Sequence, residues 1–441
     1  MNSALRQRQF QTAAASNQGR STVYLCWWLL LAIFFEYARP GSFVAGINVL
    51  RLNTLIPIGL VLACALSKDL RPMKEVWIDS QSRWLVAYFF VIAFGLVHAD
   101  VTLYAFNVTK TVLGYLLLAF VIVRICTTLD RIRSVYAVLV IAHLFLIVMN
   151  PAAILNPEQR NYIIGGTFLG DGNDFSLSVC IVAPMAIELA LASKSRIVRL
   201  FWWGALLVLC LAVVASQSRG GTLGLAAVAA YLWLRSPRKA LTMILALVGV
   251  AAILAYAPDQ YFERMRTISH YEADGSAMGR ITAWKAAIQM CIDHPLWGVG
   301  AGMFPVSFGT IYRPAENMPW LTAHSMYFLL LGELGIPGVV VLLGLILGNL
   351  RANRRLMRAR DAVADQVQPG LFPQGPNRML YLLSASMIGL AVCGAFLSVA
   401  YYPHLFVLTA LMVSARAVAA RDPSLQGVIA TRPGGLTRAR R

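Results

Sequence analysis

The sequence is poor in charge: only 13% of its 441 residues are Asp, Glu, Lys or Arg, while 58% are hydrophobic. A soluble domain carries about a quarter of charged residues, so this composition excludes an ordinary soluble protein. Many apolar runs approach the roughly 20 residues that cross a bilayer core. The sequence therefore predicts an all-α fold, a polytopic membrane helical bundle of about 12 transmembrane helices with one long extracytoplasmic loop containing short helices.

Acidic residues are scarce as well, with 20 Asp and Glu against 38 Lys and Arg and a formal net charge of +18. In a soluble protein this excess would suggest nucleic acid as a partner. Here most basic residues fall in the links at one side of the alternating apolar runs, as in cytoplasmic loops. We therefore expect no nucleic-acid partner and place both termini in the cytoplasm.

The alternation of apolar runs and basic links divides the chain into five parts. We expect a cytoplasmic N-terminal tail at residues 1–21, transmembrane helices 1–9 at 22–257, an extracytoplasmic loop at 258–322, transmembrane helices 10–12 at 323–418 and a cytoplasmic basic tail at 419–441. The spans are expected at about 22–37, 47–67, 84–98, 101–123, 134–149, 174–193, 200–215, 222–234, 240–257, 323–350, 379–398 and 404–415. The long extracytoplasmic loop is expected to carry the functional site.

Metal-ligand patterns and cysteine pairs are also missing. The seven cysteines include no C-x-x-C pair, and we interpret them as core residues. Asp293 and His294 are adjacent, but no second ligand pair stands at metal spacing. The sequence therefore predicts neither a metal nor another cofactor.

Arg219 lies in SQSRGG, between two apolar runs. An arginine at this depth costs a few kcal/mol unless it has a partner or water. One interpretation is a guanidinium that binds a phosphate through two hydrogen bonds, with Gly220 and Gly221 allowing backbone or ligand to approach closely. The other is an arginine at a helix end whose charge reaches the interface.

Arg280 opens a predicted helix in the long loop, which Pro295 ends. An apolar face recurs at helical spacing, and we expect it to lie along the membrane surface; its residues are Ile281, Trp284, Ile288 and Cys291. Arg280 would then meet an anion together with the helix dipole. The alternative is a solvated surface arginine.

Three glycines follow this helix, at positions 298, 300 and 302. The spacing of Gly298, Gly300 and Gly302 resembles a phosphate-binding loop, but no strand or P-loop lysine accompanies it. A tight turn that re-enters the membrane is the favoured interpretation.

His324 opens span ten, and Glu333 lies nine residues deeper. A histidine can accept a proton near neutral pH, although a structural hydrogen bond is the simpler role. Glu333 is costly within a membrane and is interpreted as a structural partner for an arginine. Lys110 in span four and Arg51 in span two lie in polar clusters, which we expect to face the bundle interior or a wet cavity.

The chain resembles the O-antigen ligase/polymerase family of bacterial inner-membrane glycan transferases. The resemblance rests on four motifs in residues 215–350: SQSRGG, FERMRTI, GRITAWKAAIQMCIDHPLWGVGAGMF and AHSMYFLLLGELGIPG. Elsewhere the agreement is limited to hydropathy and the number of spans. The order of the motifs is specific, although each piece alone is common.

The resemblance implies a multi-pass protein of the inner (cytoplasmic) membrane that acts as a metal-independent glycosyltransferase. Its donor would be an undecaprenyl-diphosphate-linked glycan, and its acceptor lipid A-core for a ligase or another lipid-linked glycan for a polymerase. Arg219 and Arg280 would hold the diphosphate, with Arg51 and Lys110 as further basic contacts. His324 would activate the acceptor hydroxyl. Supporting positions would be Trp284, Glu333, Gly220 and Gly300.

Two other classes of protein were weighed. A transporter of lipid-linked glycans would also need basic cavities, but it more often shows repeated halves and has no need of so long an outer loop. A structural membrane scaffold would not explain why Arg219, Arg280 and His324 all fall on the outer face. Between ligase and polymerase the motifs make no distinction, and the ligase is taken as the main prediction.

Overall fold

The structure, a computed structural model, describes residues 22–156, 168–266, 275–362 and 371–421. The longer helices, numbered in chain order, are α1 Thr22–Ala38, α2 Leu52–Leu66, α3 Ser80–Phe94, α4 Thr102–Ile125, α5 Leu129–Met149, α6 Gly172–Ala192, α7 Arg196–Ala215, α8 Arg219–Arg235, α9 Lys239–Tyr256, α10 Asp259–Arg266, α11 Gly275–Asp293, α12 Met326–Asp361, α13 Gly375–Gly394 and α14 Pro403–Ala419. Shorter helical turns lie at Pro40–Ser42, Ala45–Val49, Met73–Val76, Gly95–Val97, Ala152–Leu155, Phe304–Ser307 and Phe308–Tyr312. No strand occurs within the described ranges.

Each predicted span contains one of the helices α1–α9 and α12–α14. Eight helices are long and apolar enough to cross a membrane, and α1, α2 and α14 are shorter apolar helices. The predicted polytopic helical bundle is therefore confirmed. The predicted tail at 1–21, the loop residues 267–274, the link residues 363–370 and the tail beyond 421 lie outside the described residues, as does 157–167.

Several helix ends differ from the predicted boundaries. α5 begins at Leu129, five residues before the predicted span, because the Thr128 side chain caps it by accepting a hydrogen bond from the Arg131 N–H. α12 continues to Asp361, although the basic segment after residue 350 was predicted to be a link. That segment is rich in Arg, Leu, Met and Ala, which are good helix formers, so the helix extends past its apolar part.

α12 is kinked at Gly335, two residues before Pro337. Gly335 has φ 63° and ψ −156°, a backbone conformation that a side chain would make costly. The kink frees the Ile336 N–H to donate to the Pro295 carbonyl at 2.9 Å. The N-terminal part of α12 is thereby joined to the chain that follows α11.

The helices pack around α6, in which 89% of the apolar window is buried, whereas α9 has no buried residue there. α6 packs against α5, α7, α8 and α13, and α13 also packs against α12 and α14. The N-terminal ends of α6, α8 and α12 lie together at one end of this bundle, as the contacts described below establish. We call this the site end.

Ion pairs join the helices at the opposite end. The buried Glu188 carboxylate on α6 accepts hydrogen bonds from Arg133 on α5 and Arg378 at the start of α13, the shortest at 2.6 Å. Arg416 on α14 pairs with Asp79, the N-cap of α3, at 2.7 Å. Paired charges are the form in which ionised groups are tolerated at this depth.

α11 packs against α12 with buried residues that lie outside the predicted apolar face, and the position of that face along the membrane surface stays a prediction. The buried positions are the small residues Ala283, Ala286 and Ala287 together with Met290. Ile288, predicted to lie on the apolar face, is 45% exposed. Close helix packing requires small side chains, so the alanine stripe faces α12 and the larger isoleucine points away.

Candidate functional site

Arg219 occupies the first turn of α8, where the sequence placed a link. Gln217 adopts a left-handed conformation at φ 52°, and Ser218 then caps the helix by accepting a hydrogen bond from the Gly221 N–H at 3.1 Å. The charge of Arg219 therefore adds to the positive end of the helix dipole. This combination favours an anion in front of α8.

The first turns of α8 fit tightly between α6 and α13. A Cβ atom on Gly221 would lie 2.4 Å from the Ser176 Cβ, and one on Gly224 would lie 2.1 Å from the Cys393 Sγ. Gly220 is different, since its Cβ would meet Phe396 at an ordinary 3.5 Å. A glycine is thus required at position 221, where the neighbouring helix α6 approaches the backbone closely. The same requirement was predicted for Gly220, but the space there would accept a Cβ atom.

The helix α10 is joined to α8 through one side-chain contact. The hydroxyls of Thr222 and Tyr261 lie 3.1 Å apart, and Tyr261 is buried. This contact brings the FERMR motif beside the turn that carries Arg219. The side chains of residues 263–266 and the end of the motif lie outside the described residues.

Arg280 and His324 interact electrostatically although they are far apart in sequence. Burial lowers the pKa of His324, the charge of Arg280 lowers it further, and the carboxylate of Asp171 opposes both effects. A lowered pKa keeps the imidazole neutral near pH 7, and only a neutral imidazole can accept a proton. His324 also has φ 48°, a left-handed conformation that is uncommon for a side chain of this size.

Trp284 holds the chain next to His324. Its indole N–H donates to the Ala323 carbonyl at 2.9 Å, and its ring stacks on Phe328 with centroids 4.9 Å apart. Ser325 then caps α12 by accepting from the Phe328 N–H. Both contacts fix the backbone on either side of His324, and the supporting role of Trp284 in the reaction stays a prediction.

The chain between α13 and α14 connects the His324 segment with the Arg219 helix. Thr322, two residues before His324, contacts Ser398 at 3.0 Å between hydroxyl oxygens. Phe396, two residues before Ser398, packs beside Gly220, which follows Arg219. Arg219 and His324 therefore lie beside the same short segment.

Two carboxylates at the start of α6 were not singled out from the sequence. Asp171 caps α6 by accepting from the Asn173 N–H at 2.8 Å and acts on the pKa of His324. Asp174 accepts a hydrogen bond from the Tyr402 hydroxyl at 3.1 Å. The stretch GDGND before an apolar run is a helix-start signal, but nothing in its spacing points to His324.

Glu333 is bound by backbone N–H groups and a tyrosine, so its predicted pairing with an arginine is wrong. Its carboxylate accepts from the N–H of Gly302 and of Phe304, each at 2.8 Å, and from the Tyr401 hydroxyl. Three donors satisfy a carboxylate that is almost fully buried.

The glycines of the turn have positive φ angles, 63° at Gly298, 101° at Gly300 and 76° at Gly302. The turn follows the backbone of α12, since Gly300 donates to the Glu333 carbonyl at 2.9 Å. The N–H groups that could cradle a phosphate are thus engaged with α12. The structure favours the tight turn over the phosphate-binding loop.

Arg51 and Lys110 are exposed side chains. Lys110 is exposed on α4, donates to the Asn107 Oδ1 at 3.2 Å and lies over the Phe106 ring. Arg51, with φ 47°, is exposed at the N-cap of α2. Of the two expected surroundings, the interior of the bundle is wrong for both side chains, because both are exposed, and the water-filled cavity stays a prediction.

In the part of the chain that the structure describes, no three His, Cys, Asp or Glu side chains lie together in a way that could hold a metal ion. Asp293 accepts hydrogen bonds from the Tyr312 hydroxyl at 2.8 Å and from the Gln289 amide at 2.9 Å. The expectation of a metal-free site stays a prediction.

Comparison with protein families gives one match, in which residues 203–343 fit the profile described as O-antigen ligase. Comparison with curated proteins gives no match. The matched residues run from α7 to the middle of α12 and include Arg219, Arg280, His324 and Glu333. Residues 203–343 thus match an O-antigen ligase domain, which supports the resemblance to the O-antigen ligase/polymerase family that the motifs predicted.

Proposed function

We propose that the protein transfers an undecaprenyl-diphosphate-linked glycan to a lipid A-core acceptor at the outer face of the bacterial inner membrane, without a metal. The family match supports a glycosyltransferase-like membrane enzyme that handles lipid-linked glycans. The observation that carries the finer proposal is that the His324 segment and the Arg219 helix pack against the same chain segment, with the charge of Arg280 acting on His324. The two contacts with that segment are those of Thr322 with Ser398 and of Gly220 with Phe396.

In the proposed reaction, the acceptor hydroxyl attacks the anomeric carbon of the donor. The bond from that carbon to the diphosphate oxygen breaks, and its electron pair leaves with the diphosphate. His324 takes the proton of the hydroxyl, and the sugar carbon is inverted by direct displacement. The proposed reaction differs in this respect from glycoside hydrolysis, in which two carboxylates flank the bond that breaks.

In the proposed reaction, Arg219 and Arg280 stabilise the negative charge of the diphosphate. Negative charge builds on the diphosphate as the bond breaks, and fixed guanidinium groups stabilise it without reorganisation. The positive end of the α8 dipole acts in the same direction. Arg51 and Lys110, on exposed faces, are proposed only as contacts on the path of the lipid diphosphate to this site.

The proposed topology has both termini in the cytoplasm and residues 258–322 outside. Reporter fusions after Lys194 and Arg238 should then give a cytoplasmic signal, and fusions at Asn156 and Gly275 an extracytoplasmic one. A cytoplasmic signal at Gly275 would remove the basis for the site, since the glycan is presented on the outer face.

Deletion followed by glycan analysis separates the ligase from the polymerase of the same family. Loss of capped lipid A-core with lipid-linked chains of normal length identifies a ligase. Accumulation of single-repeat products identifies a polymerase. Transfer by purified protein from a lipid-linked donor, measured with and without a chelator, tests the reaction itself and its independence from metal.

A further inference from the structure

Arg71 is a buried cation at the end of the bundle opposite to the site end. It lies between α2 and α3, its exposed fraction is 5%, and its neighbours Pro72 to Glu75 are exposed. Its backbone is fixed from two directions, since the Arg71 N–H donates to the Arg124 carbonyl and the Arg124 side chain donates to the Arg71 carbonyl. The position of this residue is thus set by the fold.

The guanidinium of Arg71 has no hydrogen-bond partner among the residues that the structure describes. The atoms Nε, Nη1 and Nη2 are all buried and unsatisfied. A buried charge without a partner costs several kcal/mol, far more than an exposed one. By contrast, the buried arginines at the α6 and α14 ion pairs of the same end have carboxylate partners.

The charges around Arg71 are mostly positive. Arg124 and Arg131 donate to backbone carbonyls, which carry no net charge, and Arg421 acts on Arg71 as a like charge. Glu75 is the acidic group that faces Arg71, and it pairs with Arg421 at 3.8 Å. Among the described groups that act on Arg71, Glu75 is the carboxylate, and its pairing with Arg421 leaves Arg71 without a hydrogen bond to it.

We propose that Arg71, with Arg421 beside it, binds the phosphate of an anionic phospholipid head group. A phosphate offers several acceptor oxygens, and a guanidinium can meet two of them at once. Basic pockets between helices at the membrane face bind such head groups. The last turns of α2 supply the apolar surface for the acyl chains, because Leu62 is 60% exposed and Leu66 is 83% exposed.

The test uses full-length protein purified in a neutral detergent, and it compares wild type with Arg71→Met and Lys74→Gln. Lys74 is an exposed cation of the same segment, so K74Q controls for the loss of one positive charge. Phosphatidylglycerol, phosphatidylcholine and inorganic phosphate are added separately. Thermal unfolding and retained lipid, measured by native mass spectrometry, are the two readouts.

Wild type and K74Q should be stabilised by phosphatidylglycerol and retain it, whereas R71M should retain about tenfold less or lower, because the charged hydrogen bonds are lost. Without lipid, R71M should be at least as stable as wild type, since a buried unpaired charge has been removed.

Two results would overturn the proposal. Lower stability of R71M without lipid, together with an unchanged response to phosphatidylglycerol, would show that Arg71 is held by the protein itself. Equal stabilisation of wild type by inorganic phosphate would show a free anion in place of the lipid.

Discussion

The Glu333 carboxylate accepts a hydrogen bond from the backbone N–H of Gly302 at 2.8 Å, across 31 residues of sequence. This contact joins the kinked outer end of α12 to the glycine turn that follows α11. Arg280 lies on α11, which precedes the turn, and His324 lies two residues before α12, against which the turn packs. The geometry of the candidate site therefore depends on a carboxylate that is buried beneath it.

Replacement of Glu333 by Gln should destabilise the protein by about 1–3 kcal/mol, because the NH2 group of the new amide would face the N–H of either Gly302 or Phe304 and leave it without an acceptor. Tyr401→Phe removes one of the three hydrogen bonds and should cost less. Thermal unfolding of both variants checks the order. Equal stability of E333Q and wild type would mean that the turn does not depend on this carboxylate.

Arg219→Lys and Arg280→Lys should each lower glycan transfer by roughly tenfold to a thousandfold, equal to about 1.4–4 kcal/mol of transition-state binding. Lysine keeps the charge but cannot form the bidentate hydrogen bonds that a guanidinium makes to a phosphate. The measurement is transfer per folded protein, beside donor binding. Lys285→Gln, an exposed cation on the same helix as Arg280, is the matched control and should keep its activity.

Near-normal turnover in both Arg→Lys variants would rule out the proposal that Arg219 and Arg280 bind the diphosphate. The search for the diphosphate site would then turn to Arg51, Lys110 and Arg313.

His324→Ala should lower turnover by about a hundredfold or more and leave donor binding near normal, because a general base acts on the acceptor. A parallel fall in donor binding, or a loss of activity that follows a lower protein level, would instead assign His324 a structural role. Its left-handed backbone makes the second readout necessary.

The pH dependence of transfer should report the surroundings of His324. Its lowered pKa places the acid limb of kcat/KM below the ordinary histidine value of about 6.5, because activity is lost only when the base becomes protonated. Asp171→Asn removes the charge that raises this pKa, so the limb should move to lower pH.

Asparagine remains a good helix cap, which separates the effect of D171N on charge from an effect on folding. Asp293→Asn serves as a control carboxylate in the long loop. A limb that stays in place in D171N would show that the base is another group.

Gly221→Ala and Gly220→Ala form a matched pair. The first places a Cβ atom 2.4 Å from Ser176, and the second places it 3.5 Å from Phe396. Overpacking costs about 1–3 kcal/mol, so G221A should lower thermal stability and transfer while G220A stays near wild type. The reverse order would mean that Gly220 faces a ligand that requires close approach.

The pattern of apolar runs predicted every long membrane helix but not their polar ends. Hydropathy does not register a capping residue such as Thr128 or a basic helical extension such as residues 351–361, because both lie beyond the apolar stretch. Arg219, Arg280 and His324 were recognised from their motifs. Their proximity was not, since it depends on contacts between separate helices.

Two features of the site could not be predicted for the same reason. Asp171 lies more than a hundred residues from His324 in sequence, and its effect on that histidine arises only when α6 and α12 pack into one bundle. Glu333 was expected to pair with an arginine, because an isolated membrane carboxylate usually needs a cation. The backbone N–H groups released by the glycine turn fill this role instead.

The Tyr401 hydroxyl that completes the Glu333 hydrogen bonds lies 68 residues after that carboxylate. A ribosome synthesises Gly302, then Glu333, and only much later Tyr401. During synthesis, Gly302 and Glu333 are therefore made before the last hydrogen-bond donor to the Glu333 carboxylate exists. We expect a chain that stops before Tyr401 to lack this hydrogen bond, so the support of the Glu333 carboxylate would be complete only when the segment that leads into α14 has been made.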